Sequence, residues 1–260
     1  MKSIRCILLI ALLQAVTVSP LFAADELERI KSSGVFRIGT EGTYAPFTYH
    51  DEAGKLTGFD VEIGTEIAQR LGVKPQFIEN KWDGLIAGLD LNRYDAVINV
   101  VSITDARKVK YDYSDPYITS HPALIVASDN TTIRSFDDLK GKKSANTLTS
   151  NVGRIAAAHG AQVIPAQGFN ESIDLLTSGR VDATVNDSLT ILDLMKHKPD
   201  VKVKVVAFDN APDSGDKSAV LIRKGSPALR EAINRALAGM RKDGTYERIS
   251  QKYFGKDVFQ

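Results

Sequence analysis

Tyr94-Asp-Ala-Val-Ile-Asn-Val-Val101 is the stretch on which the fold turns. It is dense in β-branched residues, and its apolar side chains fall on both alternating faces. A strand with one wet face alternates apolar and polar residues; this one does not. It reads as a strand buried on both sides, and such a strand needs helices above and below its sheet. The flanks supply them. Residues 82–91 carry a helical pattern just upstream, and residues 104–109 a short one just downstream. Further upstream, residues 35–40 read as a strand and residues 60–71 as a helix. Ile63, Ile67 and Leu71 stand four apart on one face of that helix. Residues 74–78 read as another strand.

A second alternating series begins near residue 122. Strands are expected over 123–127, 162–165, 181–185 and 201–207. Helices are expected over 151–159, 171–178 and 188–197, with Gly179 ending the second. Ser135-Phe-Asp-Asp-Leu139 reads as a capped helical turn. A strand over 218–223 then leads into a long helix, 227–242. Ser226 caps it and Pro227 sits in its first turn, where a missing N–H costs nothing. A last helix covers 246–253. Alternation of this kind predicts parallel sheets covered on both faces. Two segments look like crossings between units: Ser120-His-Pro122 and the polar, breaker-rich run Asp-Asn-Ala-Pro-Asp-Ser-Gly-Asp-Lys at 209–217. Two crossings mean that the chain leaves one lobe, builds another and returns. The expected fold class is α/β, with two Rossmann-like lobes and a cleft between them.

Residues 1–24 stand apart. Lys2 and Arg5 precede an unbroken apolar run, Ile7 to Leu13, and small residues follow at Ala23-Ala24. This is the order of a secretory signal peptide, and the run is too short to span a membrane. Cys6, the single cysteine of the 260 residues, lies inside it. A mature chain without thiols suits an oxidising, extracytoplasmic compartment. The full chain carries a net charge of +1, which loss of Lys2 and Arg5 turns to −1. No basic block occurs, so no nucleic-acid partner is expected. His50, His121, His159 and His197 are scattered without metal spacing. There is no phosphate loop and no nucleophile elbow, so neither metal nor cofactor is expected.

Four stretches, in order and spacing, resemble the polar amino-acid-binding proteins of bacterial ABC importers (solute-binding protein family 3). They are Arg37-Ile-Gly-Thr-Glu-Gly-Thr-Tyr-Ala-Pro-Phe47, Leu56-Thr-Gly-Phe-Asp-Val-Glu62, Val97-Ile-Asn-Val-Val-Ser-Ile-Thr-Asp-Ala-Arg107 and Met240-Arg-Lys-Asp-Gly-Thr-Tyr246. The resemblance covers nearly all of the chain after residue 24. It implies the type II periplasmic-binding-protein fold, two α/β lobes joined by two crossing strands. Lobe 1 would hold residues 25–119 and 218–260, and lobe 2 residues 120–217. Glu41-Gly-Thr-Tyr44, Lys81-Trp-Asp-Gly84, Val97-Ile-Asn99 and Thr147-Leu-Thr-Ser-Asn151 are similar to the cystine-binding branch. Branches that bind histidine and basic amino acids usually carry Asp where this chain has Glu41, and a serine pair where it has Asn99-Val100.

An amino acid is a zwitterion, so its site must offer a fixed cation and a fixed anion close together. Arg107 is the natural carboxylate partner, because its planar fork matches two oxygens; the family's matching arginine has that role. Ser150 and Asn151 open a helix whose free N–H groups favour the same anion. Asp187, at a strand end, matches the family aspartate that pairs with the ammonium, although it is equally placed to cap a helix. Ser102 and the Val100 carbonyl lie at the carboxyl end of the 94–101 strand, within reach of either charge. Tyr44, on an exposed turn, and Trp82 would wall the side chain of the ligand. Glu41 and Asn99 would meet its far polar end.

The expected function is therefore that of an extracytoplasmic solute-binding subunit, not an enzyme. It would close on a polar L-amino acid, with cystine favoured, and pass it as a monomer to an ABC transporter permease in the inner membrane. Two alternatives stay open. One is a cyclohexadienyl or arogenate dehydratase-like enzyme on the same fold, although no acid–base pair is evident for it. The other is a subunit that feeds a sensor rather than an importer.

Overall fold

The structure, a computed structural model, describes residues 25–211 and 217–259. The segment read as an export signal, with Cys6, lies outside the described residues, as does most of the 209–217 run. In chain order the elements are α1 (Glu26–Ser33), β1 (Val35–Thr40), β2 (Thr43–Tyr44), β3 (Thr48–His50), β4 (Leu56–Thr57), α2 (Phe59–Arg70), β5 (Lys74–Glu79), α3 (Trp82–Asp90), β6 (Ala96–Val97), α4 (Asp105–Lys108) and β7 (Tyr111–Thr119). The second half adds β8 (Pro122–Ala127), a 3₁₀ turn (Phe136–Leu139), β9 (Lys143–Asn146), α5 (Asn151–Ala158), β10 (Gln162–Pro165), α6 (Phe169–Thr177), β11 (Ala183–Asp187), α7 (Ser188–His197) and β12 (Val203–Phe208). β13 (Lys217–Arg223), α8 (Pro227–Lys242) and α9 (Thr245–Phe254) close the chain.

These form two five-stranded sheets, in the orders β5-β1-β6-β13-β7 and β10-β9-β11-β8-β12, with a small sheet β2-β3-β4 beside the first. Each large sheet has a core on both faces. On one face of the first, Ile63 and Ile67 of α2 pack with Ile233, Leu237 and Met240 of α8 over Phe36 and Ile38. On the other, Leu85 and Leu89 of α3 meet Tyr94, Val97 and Leu221. The second sheet is covered likewise by Phe169, Ile173 and Ile191 on one face and by Phe136, Leu139 and Ala156 on the other. The α/β expectation and the four-apart stripe of α2 both hold.

The sheets are mixed, not wholly parallel. β1 runs parallel to β5 and β6, but β13 is antiparallel to β6 and β7. β9 is parallel to β10 and β11, whereas β8 is antiparallel to β11 and β12. The antiparallel strands are those on either side of the two crossings. They arrive without a covering helix, and only parallel neighbours require one. The 94–101 strand is also shorter than its apolar run. Backbone pairing to β1 extends from Asp95 N (2.9 Å to Arg37 O) to Ile98 N (3.1 Å to Gly39 O), and then the chain turns at Val100, whose φ is +47°. β7 escapes a reading by pattern because Asp112, Asp115 and Pro116 interrupt it. It is an edge strand, where proline is tolerated.

Candidate functional site

The carboxyl ends of β1, β6, β9 and β11 approach one another between the sheets, where ligands of open α/β sheets sit. They enclose a cavity of about 720 Å³, including its opening to solvent. All ten residues singled out from the sequence lie on its wall. Glu41, Tyr44, Trp82, Asn99, Val100, Ser102 and Arg107 come from the side of the first sheet; Ser150, Asn151 and Asp187 come from the side of the second.

Arg107 sits on the single turn of α4, which Thr104 caps by accepting from the Arg107 N–H. Its side chain turns inward and is 6 % exposed. Nη1 donates to Ser102 O (3.0 Å) and Nη2 to Thr149 O across the gap (3.3 Å), while the guanidinium carbon lies 5.4 Å from the Trp82 ring centroid. Among the described residues no carboxylate comes within 4.0 Å of it. Burial lowers its pKa, with nearby Arg154 acting in the same direction. A buried cation held in plane by carbonyls and a ring, without a protein anion, is matched to an incoming carboxylate.

The helix α5 starts opposite. Ser150 caps it, with Oγ accepting from Gly153 N at 3.0 Å. Its first residues, Asn151 and Val152, line the cavity. Asp187 ends β11 and does cap α7, accepting from Leu189 N (2.8 Å) and Thr190 N (3.4 Å), while Ser120 Oγ donates to its other oxygen at 2.5 Å. Capping and a place on the cavity wall coexist. Burial pushes its carboxyl up to about 6 against these hydrogen bonds.

Glu41 follows β1. Burial drives its carboxyl up to about 7, although the Asn99 amide and the Trp82 backbone hydrogen-bond its charged form. Asn99 donates to Glu41 Oε2 (2.7 Å) and accepts from Glu41 N (2.8 Å) and Thr40 Oγ1 (3.1 Å). Its amide is thus spent largely on orienting Glu41. Trp82 is both core and wall: it packs with Leu85 and Tyr111, yet its buried Nε1 makes no hydrogen bond to the described residues.

Tyr44 departs from expectation. It is not on a free turn but spans the gap. Its hydroxyl donates to Asn186 Oδ1 at 2.7 Å, and its ring meets Phe169 edge-on at 6.3 Å. Two further contacts join the sides. Asp83 Oδ1 accepts from Thr149 N (3.0 Å) and Thr149 Oγ1 (2.8 Å), and Lys81 Nζ donates to Gln167 Oε1 (2.9 Å). Phe169, Asn146 and Asn186 also line the cavity and were not singled out. Asn186 adjoins Asp187 at the same strand end, which was the available signal. Asn146 ends β9, a strand of Lys-Ser-Ala-Asn with no apolar signature. Among the described residues no cluster of three or more His, Cys, Asp or Glu could hold a metal, and no helix is long and apolar enough to cross a membrane.

The profile of the bacterial extracellular solute-binding proteins, family 3, matches residues 36–256. The chain belongs to that family. This solute-binding protein is similar to the L-cystine-binding protein TcyA of Bacillus subtilis, with 45 % identity over 230 residues, 88 % of this chain and 84 % of the relative. It superposes on an ancestral arginine-binding protein bound to arginine with a TM-score of 0.79 and 41 % identity, over 85 % of this chain and 98 % of the other. The L-cystine solute receptor of Neisseria gonorrhoeae, unliganded and open, has the same 41 % identity over 90 % and 98 % of the two chains but a TM-score of 0.59. At equal identity the better match is the ligand-bound structure, and in this family member the Tyr44–Asn186 and Asp83–Thr149 contacts join the two sides of the gap. These relatives are described as binding proteins or receptors, not as enzymes.

Proposed function

We propose that the chain is a periplasmic binding subunit that closes on one polar L-amino acid, with L-cystine first in order, and delivers it to an ABC transporter permease in the inner membrane. It works as a monomer after losing residues 1–24, with lobe 1 formed by 25–119 and 218–260 and lobe 2 by 120–217. The observation that carries the reading is Arg107, a buried guanidinium with no carboxylate beside it among the described residues, facing the start of α5. The α-carboxylate of the ligand would lie on Arg107 and the α5 N–H groups, and its ammonium on Asp187. Trp82 and Tyr44 would flank its side chain.

The far end supports cystine. Glu41, oriented by Asn99, is an acid kept for a polar or cationic group, and the second zwitterion of cystine offers an ammonium there. The similarity to a relative named for L-cystine points the same way. A thermal-shift screen of all the common amino acids and L-cystine tests the reading, because a ligand that binds only the folded state raises its melting temperature. L-cystine should give the largest rise. A screen in which no amino acid moves the transition would end the proposal.

A further inference from the structure

Val100 lines the cavity with φ at +47°, a region that β-branched residues almost never enter. Such a conformation persists only where the surroundings impose it. Here the surroundings are a buried acid. Asp60 of α2 is 1 % exposed, and its Oδ2 accepts from Val100 N at 2.8 Å. The Tyr117 hydroxyl donates to Asp60 Oδ1 at 2.9 Å and lies 3.3 Å from Val100 N. Asp60 is itself fixed. Its backbone N–H donates to Phe47 O at 2.9 Å, and Gly58 ahead of it adopts φ +127°, where any Cβ would strike the Phe47 carbonyl.

We infer that Asp60, braced by Tyr117, is a positioning residue of the binding site, which touches no ligand and holds Val100 in the left-handed turn that aims the 99–102 segment into the cleft. The inference rests on the cleft being the amino-acid site. Two observations argue against plain packing. Among the described residues Asp60 forms no ion pair within 4.0 Å, and burial pushes its carboxyl up to about 7, a cost that an apolar residue of similar size would avoid. Its acceptor is also spent on the one backbone N–H of the strained residue. If the acid holds the turn, glycine at 100 should make it dispensable, because glycine adopts positive φ freely.

The test is a double-mutant cycle of D60N and V100G, titrated calorimetrically with L-cystine, with Y117F as a milder third variant. D60N should weaken binding about ten-fold and Y117F about three-fold. The D60N penalty measured in the V100G background, relative to V100G itself, should shrink to about three-fold or less. The Val100 amide proton resonance of the ligand-free protein should move upfield in D60N, reporting the weaker acceptor that an amide offers in place of the carboxylate, without any ligand. Equal D60N penalties in both backgrounds would overturn the inference, as would Val100 resonances indifferent to D60N. Should D60N not fold, Y117F decides by the same two readouts. A parent that ignores L-cystine while its Val100 resonance still responds to D60N would count against the ligand and not against the positioning role.

Discussion

At the scale of single residues the site is an arrangement of unpaid charge. Among the described residues Arg107 has carbonyls and a ring around it but no anion, and Asp187 and Glu41 are acids that burial drives toward the neutral form. Each becomes comfortable only when a zwitterion arrives. Arg107→Ala should therefore cost roughly 100-fold or more in calorimetric affinity. Arg107→Lys should recover little of it, because a point charge cannot reproduce the two-pronged contact. The melting temperature of the ligand-free protein should hardly fall in either, since no protein ion pair is lost. The acids give a pH prediction. Glu41 is raised from 4.5 to about 7, Asp60 from 3.8 to about 7 and Asp187 from 3.8 to about 6, so the folded state binds more protons than the unfolded one between about pH 4 and 7. Their contribution to the stability of the ligand-free protein is thus greatest at low pH and declines as pH rises through that window. Ligand binding has the opposite sense. An ammonium beside Asp187 and Glu41 favours their charged forms, so binding near pH 6 should release protons. Titrations at pH 6 in buffers of different ionisation enthalpy would then give different apparent heats, and identical heats would contradict the assignment.

At the scale of elements, much was readable because period and chemistry agree. Ile63 and Ile67 marked the buried face of α2, Ser226-Pro227 marked the start of α8, and Asp187 and Ser150 marked helix starts at strand ends. What escaped was decided by tertiary context. The direction of β8 and β13 depends on where the chain crosses between lobes, which no local pattern encodes. The run 94–101 is apolar throughout, yet it stops pairing at Val100 because Asp60, 40 residues away, captures that N–H. Tyr44 looked like an exposed turn because its partner Asn186 is 142 residues distant. Asp83 is another contact of this kind. At the first turn of α3 it accepts two hydrogen bonds from Thr149, joining an element of the first sheet to the loop before α5. It does not line the cavity, so Asp83→Ala should leave the ligand contacts intact and loosen only the closed arrangement. The expected effect is a three- to ten-fold weaker affinity, as befits two hydrogen bonds at a partly exposed site. It should appear in the dissociation rate, followed by Trp82 fluorescence in stopped flow, with the association rate nearly unchanged. A variant slowed in association alone would place Asp83 on the encounter surface instead.

At the scale of the whole molecule, two separately cored lobes can move against each other because their cores barely mix. Ile38 and Ile233 belong to one and Ile125 and Ile191 to the other, Tyr44 packs against both, and Leu189 of α7 joins the first. What holds the lobes together is polar and small: the Tyr44–Asn186, Lys81–Gln167 and Asp83–Thr149 contacts and the reach of Arg107 to Thr149 O. Partly exposed hydrogen bonds of this kind contribute about 1 kcal/mol each at best, and closure must also bury Arg107 and Asp187 away from water. The ligand-free protein should therefore populate the open form, and a ligand that touches both lobes should select the closed one in proportion to its preference for it. Small-angle scattering measures this directly. Saturating L-cystine should reduce the radius of gyration toward about 18 Å, the value for a compact chain of this size, from a larger value without ligand. Arg107→Ala should stay at the larger value under the same conditions, and Asp83→Ala should compact only at higher L-cystine. Superimposable curves with and without ligand, in a protein shown by calorimetry to be saturated, would mean that binding and closure are separate events and that the contacts between the lobes already suffice to keep the cleft shut.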